Sequence, residues 1–157
     1  ERNNEYPSGQ YAARRAIFGR LLSNLILFSY LCKVIDSYCI FMDKLIETIV
    51  SAIEDKKGKN IVSLDLSGFD GAICSHFIVC NADSTTQVCA IADGIEERVL
   101  EKLGEKVWRV EGQQNGVWVA MDYVDVVVHI FQTELRGFYK LEELWADAPM
   151  VKYEYEE

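Results

Sequence analysis

Residues 116–131 of this 157-residue chain read GVWVAMDYVDVVVHIF. Two runs rich in β-branched and aromatic residues, Val117–Asp122 and Asp125–Phe131, meet at an acidic turn. This pattern predicts a local β-hairpin. Three polar side chains lie inside these runs: Asp122, Asp125 and His129. Burying such groups without partners is costly, so we expect them at exposed ends of a sheet or in contact with partners.

The rest of the chain alternates between helical and strand patterns. Apolar residues at helical spacing predict three helices: Asp43–Lys57, the segment from the Ser84–Gln87 capping box to Gly104, and about Leu141–Trp145. Further strands are predicted at Asn60–Leu66, His76–Ala82 and Glu105–Glu111. The order of these elements predicts an α/β (α+β) fold, a five-stranded mixed sheet flanked by helices. His76–Ala82 is apolar on both faces, which favours a central position in that sheet.

Three regions are predicted along the chain. Residues 42–148 form the folded domain, residues 149–157 form a loosely held acidic tail, and residues 1–41 form an extension before the first methionine, Met42. The extension is interpreted as an upstream translation artefact or a loose helical arm, and a signal or anchor is less favoured. Its uncharged run, Leu21–Cys32, has 12 residues, whereas a spanning helix needs roughly 20. No membrane association is therefore predicted.

The charge distribution limits the classes of partner. The net charge is −9, while residues 1–41 carry five basic and three acidic residues, so the remaining 116 residues carry −11. Such an acidic body would approach phosphate against its own field, which excludes bare nucleic acid as the main contact. A basic protein within a nucleic-acid particle is a suitable partner. The five cysteines form no CxxC motif, and those in apolar patterns, Cys80 and Cys89, predict buried thiols in a reducing cytoplasm.

Two constellations resemble metal or catalytic sites. Cys74, His76 and Cys80 would share one face of an extended strand, but a fourth zinc ligand is missing. Asp122 and Asp125 could hold a divalent metal for nucleotidyl transfer. That reaction also needs a glycine-serine turn upstream to hold phosphates, and the sequence has none there, nor a P-loop or a GxGxxG motif. Both aspartates are better interpreted as turn-forming residues, and a metal-dependent nucleotidyltransferase is the alternative.

The remaining polar and aromatic residues favour binding over turnover. The two histidines, His76 and His129, lie in apolar strands, where a structural role is the better interpretation. Tyr139 and Trp145 lie close to charged residues, and aromatic anchors with a charged rim are typical of protein interfaces. No catalytic residue, cofactor or metal is predicted.

Several motifs resemble the ribosomal silencing factor family, also called Iojap-related proteins. The resemblance covers about residues 43–148 and is carried by NIVSLDL at 60–66, FIV at 77–79, SxxQVxAIAD at 84–93, EG at 111–112, WVxxDYxDVVVHIF at 118–131 and RxFYxLExLWxDA at 136–148. The last two motifs together are highly specific.

The resemblance implies a binding protein and not an enzyme. Members of this family bind the large ribosomal subunit, chiefly through its fourteenth protein, and block joining of the small subunit when nutrients are scarce. Their fold is related to nucleotidyltransferases without the catalytic motif. On this basis the predicted partner-binding residues are Asp122, Tyr123, His129, Tyr139, Glu142 and Trp145.

Each of these six residues has an expected role. Tyr123, Tyr139 and Trp145 are expected to act as aromatic anchors, and Asp122 and Glu142 to pair with basic partner residues. His129 is expected to orient its neighbours, and Asp125 to shape the hairpin. A bare aromatic surface also predicts a homodimer of the free protein.

The chain departs from the family pattern at two places. The family usually has glycine where this chain has Val124. Because a β-branched residue resists positive φ, this position predicts a looser turn. The family often has Asp-Tyr where this chain has Ser75-His76. The resemblance therefore does not support a partner contact from that loop.

Overall fold

The computed structural model describes residues 25–153, with side chains described from Leu31 onward. The chain divides between Met42 and Asp43 into two units. Predictions for residues 1–24 and 154–157 lie outside the described residues. Helix α1, Leu25–Asp55, begins well before the predicted start at Asp43, because no glycine or proline interrupts this stretch. Within the described range, no helix is long and apolar enough to cross a membrane.

The sheet of the second unit has six strands and not the predicted five. The strands are β1 Lys59–Asp65, β2 His76–Ala82, β3 Arg109–Glu111, β4 Trp118–Asp122, β5 Val126–Gln132 and β6 Met150–Tyr153. Their spatial order is β3-β4-β5-β2-β1-β6. Strands β2 and β5 are parallel and every other neighbouring pair is antiparallel. The mixed sheet with a central β2 is therefore confirmed.

The sixth strand comes from the segment predicted to be a loosely held tail. Strand β6 pairs antiparallel with β1, with Tyr153 opposite Ile61 and Met150 opposite Leu64. Without it, β1 would present an unpaired row of backbone groups at the sheet edge. Strand β3 is shorter than the predicted Glu105–Glu111 and begins at Arg109.

Helix α2, Thr85–Leu103, starts and ends as its sequence signals indicate. The Ser84 side chain accepts a hydrogen bond from the Gln87 backbone N–H over 3.2 Å, and the Gln87 side chain accepts one from the Asp83 N–H over 3.3 Å. Gly104 ends the helix in the left-handed conformation, at φ 68°. The buried face of α2 lies against β2, β4 and β5 and comprises Val88, Ile91, Ala92, Gly94, Ile95 and Val99.

Two short helices follow β5 and pack on the opposite face of the sheet. Helix α3, Thr133–Tyr139, has no counterpart in the predicted elements, whereas α4, Leu141–Leu144, matches the predicted short helix. Between them Lys140 adopts a left-handed conformation at φ 46°. Their inward side chains, Leu135 and Leu141, pack against a core cluster of the sheet that includes Val62, Leu64, Phe77, Val79 and Phe131.

Candidate protein-binding site

An aromatic layer covers the sheet face opposite α2. Trp118 lies directly opposite Phe131 in the β4–β5 hairpin. Their rings stack with centroids 4.9 Å apart. Tyr139 from α3 adds a third ring, 4.8 Å from that of Trp118. The motifs at residues 118–131 and 136–148 thus bring Trp118, Phe131 and Tyr139 together as one contiguous aromatic layer.

His129 lies beneath this layer. The Trp118 indole N–H donates to the His129 Nδ1 over 3.3 Å, and the Phe77 ring meets the imidazole edge-on at 4.9 Å. Within the described structure His129 Nε2 is buried and has no hydrogen-bond partner. Burial lowers the pKa of His129 to about 4. The imidazole is therefore neutral at physiological pH and accepts the Trp118 hydrogen bond through an unprotonated Nδ1.

Trp145 extends the aromatic layer toward the loop between β1 and β2. Its ring meets Phe69 and Phe77 nearly at right angles, with centroids 5.7 and 6.0 Å away. The side chain is half-buried. Edge-to-face contacts of this kind are favourable beyond their area burial, so Trp145 fixes the end of α4 to the sheet.

Three apolar side chains of α3 and α4 point to solvent and form the α3–α4 patch: Phe138, Tyr139 and Leu144. Phe138 is 77% exposed, Leu144 73% and Tyr139 45%. The Phe138 and Tyr139 rings meet edge-on at 5.2 Å. Phe138 and Leu144 were absent from the predicted binding residues. Their position in short helices could have identified them, because a short helix packed on a sheet buries one side and leaves the apolar residues of the other side exposed.

Glu142 has a partner inside the molecule. Its Oε1 accepts hydrogen bonds from Arg136 Nε over 2.9 Å and from the Arg136 terminal nitrogen over 2.5 Å. The two side chains are 22% and 15% exposed, respectively. The predicted pairing of Glu142 with a basic partner would therefore require it to leave Arg136.

The tip of the hairpin is a tight turn and not the looser one predicted. Val124 adopts φ 75°, and its N–H donates to Asp122 Oδ1 over 2.6 Å. The Tyr123 N–H donates to the Val126 carbonyl over 2.9 Å. These hydrogen bonds hold the β-branched residue in a conformation it resists. Asp122 therefore has a turn-forming role, because its Oδ1 accepts the Val124 hydrogen bond inside the molecule.

Tyr123 lies away from the aromatic layer. It is 8% exposed, and no hydrogen-bond partner of its hydroxyl is found in the described part of the chain. Burial and the nearby charge of Glu96, on α2, raise the pKa of Tyr123. The expected surface anchor is thus a buried residue on the α2 side, because side chains alternate between faces and Asp122 points to the other one.

The candidate zinc cluster of Cys74, His76 and Cys80 does not assemble. Cys74 precedes β2 and joins the core cluster beneath α3 and α4, whereas Cys80 points to the opposite face from Phe77 and Val79. The expectation that Cys74, His76 and Cys80 share a face is therefore wrong. Burial raises the pKa of both thiols to about 12. Across residues 31–153, no group of three or more His, Cys, Asp or Glu side chains is placed to hold a metal ion.

Comparison with known proteins gives consistent matches. Residues 41–157 match the family described as ribosomal silencing factor during starvation. The chain is 39% identical over 111 residues to the ribosomal silencing factor RsfS of Halalkalibacterium halodurans, covering 71% of this chain and 93% of that protein. It is 37% identical over 76 residues to the chloroplastic Iojap protein of Zea mays, covering 48% of this chain and 32% of that protein.

Solved structures support the same assignment. A crystal structure of a Chromobacterium violaceum protein has a TM-score of 0.62 at 35% identity and covers 66% of this chain and 85% of that chain. A Bacillus halodurans crystal structure has a TM-score of 0.61 at 35% identity and covers 71% of this chain and 99% of that chain. The motifs, the sheet and these relatives agree, and the chain belongs to the ribosomal silencing factor family.

Proposed function

We propose that this protein is a cytoplasmic translational repressor. It binds the large ribosomal subunit through the fourteenth ribosomal protein and blocks joining of the small subunit when nutrients are limiting. The observation that carries this proposal is the exposed α3–α4 patch, which lies within the motif at residues 136–148, one of the two that together are highly specific for the family. The protein acts by occupying a surface and catalyses no reaction.

The α3–α4 patch has the features of a docking surface. Phe138 and Leu144 are each more than two-thirds exposed, although large apolar side chains gain free energy by leaving water. Aromatic side chains in particular dominate the energetics of protein interfaces. Docking of a partner would bury these side chains, while the aromatic layer beneath keeps the patch rigid.

The charge of the chain fits a ribosomal protein as the partner. Acidic residues flank the patch, among them Glu134, Glu143 and Asp147, all exposed, and the whole chain carries −9. A basic protein surface would be attracted to this field, whereas bare RNA would be repelled. Apolar anchors then provide affinity, and the acidic rim provides orientation.

Steric bulk alone is enough to exclude the small subunit, and no catalysed reaction is needed. A folded domain held on the joining face of the large subunit would occupy space that the small subunit requires. The hairpin tip and β3 edge need no specific contact for this effect. The strength of repression therefore depends on the affinity of the α3–α4 patch.

Sedimentation with purified ribosomal subunits tests the proposal. The full-length protein should comigrate with large subunits and reduce the yield of joined ribosomes. Phe138→Ala should weaken both effects, because truncating a central anchor costs about 2 kcal/mol or more. Leu100→Ala is the matched control, since Leu100 is an exposed apolar residue on α2, 44% exposed. Failure of the wild-type protein to bind large subunits would overturn the proposed function.

A further inference from the structure

Arg136 is the centre of a polar network beneath α3. Its guanidinium donates to Asn60 O over 2.5 Å, to Asn81 Oδ1 over 2.9 Å and to Glu142 Oε1 over 2.9 and 2.5 Å. It therefore joins four segments: the start of β1, strand β2, α3 and α4. The Arg136 side chain is 15% exposed, so these bonds form in a partly desolvated environment where they are stronger than on an open surface.

The helices that carry the α3–α4 patch cannot hold their shape alone. Helix α3 has seven residues and α4 has four, and isolated helices shorter than about 12 residues are marginal in water. The junction residue Lys140 is in the left-handed conformation, at φ 46°, which is unfavourable for a non-glycine residue. The relative position of Phe138 and Leu144 therefore depends on contacts outside the helices.

Arg136 and Glu142 supply such a contact across the junction. Arg136 lies on α3 and Glu142 on α4, and two of the three guanidinium nitrogens reach the same carboxylate oxygen. The Lys140 N–H also donates to the Arg136 carbonyl over 3.0 Å. The bond to Asn81, whose Nδ2 donates to Thr133 Oγ1 over 2.9 Å, ties the pair to the first residue of α3.

We propose that Arg136 is a positioning residue for ribosome binding and that Glu142 acts through it. The pair fixes α3 against α4 so that Phe138, Tyr139 and Leu144 form one binding surface. Glu142 makes its contribution to binding inside the molecule, without pairing to the partner. The expected loss of binding rests on the proposed function. The expected effect on α3 and α4 can be measured without the ribosome.

A double-mutant cycle on large-subunit affinity tests the inference. Glu142→Ala should weaken binding roughly tenfold, and Arg136→Met should weaken it at least as much, because it also breaks the bonds to Asn60 and Asn81. The double variant should lose no more than Arg136→Met alone, because Glu142 acts through Arg136. Additive losses would overturn the proposal. The loss caused by Glu142→Ala should be equal at low and raised salt, whereas direct pairing with a basic partner would be screened; a salt-sensitive loss would overturn it as well.

Hydrogen exchange of the full chain gives the structural outcome. Both single variants should accelerate exchange in residues 133–148 and leave α2 unchanged. Arg98→Met is the matched control, because Arg98 joins Ser51 and Asp55 on the other side of the sheet. It should leave exchange in residues 133–148 and subunit affinity unchanged. If Arg136→Met is too unstable to purify, Glu142→Ala alone carries the exchange measurement.

The two proposals fail in different ways. If the wild-type protein does not bind large subunits, the proposed function is wrong, and the exchange measurement still decides whether Arg136 and Glu142 hold α3 and α4. Unchanged exchange in residues 133–148 of both variants would overturn the positioning role even where the wild-type protein binds.

Discussion

The indole N–H of Trp118 donates to the Nδ1 of His129, 3.3 Å away, from the neighbouring strand of the hairpin. Accepting this bond requires an unprotonated Nδ1, so the neutral imidazole carries its proton on Nε2. That Nε2 is buried without a hydrogen-bond partner among the described residues. Protonation of His129 would therefore remove one bond and place a charge in an apolar site.

Acid should destabilise this protein through His129. Burial lowers its pKa from 6.5 to about 4 in the folded state, so between these values the unfolded chain binds more protons. Stability is then fully present above pH 6.5 and falls as the pH drops toward 4. The full loss is roughly 3 kcal/mol.

Urea unfolding between pH 7 and pH 4.5 measures this dependence. Acidic groups titrate in the same range in any variant, so the informative quantity is the difference between the wild-type protein and His129→Gln. Glutamine can accept from Trp118 without becoming charged. The wild-type protein should lose more stability than the variant, and parallel curves would contradict the assigned cause.

Val124→Gly should stabilise the hairpin tip. Val124 holds φ 75°, which a β-branched residue adopts only under constraint, and glycine removes that strain. We expect the free energy of unfolding to rise by about 1 kcal/mol. Val124→Ala is the matched control, because alanine keeps a Cβ at positive φ and should gain much less. Equal effects of the two substitutions would contradict strain as the cause.

Gly112→Ala should destabilise the fold more than Gly71→Ala. Both glycines have positive φ, 84° and 85°, so backbone strain is shared. A Cβ on Gly112 would lie 1.9 Å from the Trp118 carbonyl oxygen, whereas one on Gly71 meets no atom of the described structure within 4 Å. The steric difference should exceed about 1 kcal/mol in denaturant unfolding. Equal destabilisation would mean that the loop before β4 shifts to admit the methyl group.

The elements that sequence reasoning located are those with local signals. Ser84, Gln87 and Gly104 mark the ends of α2 directly, and the alternation of β4 and β5 around Asp122 marks the hairpin. Helix α3 has no such signal, since no side-chain capping bond is found for its first cap residue, Gln132. Strand β6 depends on pairing with β1, which lies far away in sequence.

The motifs predicted which segments form the candidate site, but they did not predict the environment of each side chain. Tyr139 packs on Trp118, and Trp145 packs on Phe69 and Phe77, while their role as anchors for a partner stays a prediction. Tyr123 is buried because the turn at Val124 and the strand alternation direct it toward α2. The pairing of Glu142 with Arg136 depends on the left-handed conformation of Lys140. A lysine in the sequence does not predict that conformation.

Leu144→Ala and Trp145→Ala should separate binding from stability. Leu144 is 73% exposed, so its truncation should leave the melting temperature nearly unchanged and weaken large-subunit binding. Trp145 packs against Phe69 and Phe77, and its truncation should cost about 3 kcal/mol of stability in addition to binding. Thermal unfolding and sedimentation on the same preparations measure both. A Leu144→Ala protein that binds as the wild type does would remove Leu144 from the docking surface.

Truncation after Pro149 should expose the edge of β1. Met150–Tyr153 covers that edge by antiparallel pairing, and Tyr153 Oη lies 3.4 Å from Ser63 Oγ. Its removal leaves Ile61 and its neighbours at an unpaired edge, which promotes association between chains. The truncated protein should therefore unfold at a lower temperature and scatter more light. A control lacking residues 154–157 alone keeps β6 and should behave as the full chain, and equal behaviour of the two truncations would contradict a protective role for this strand.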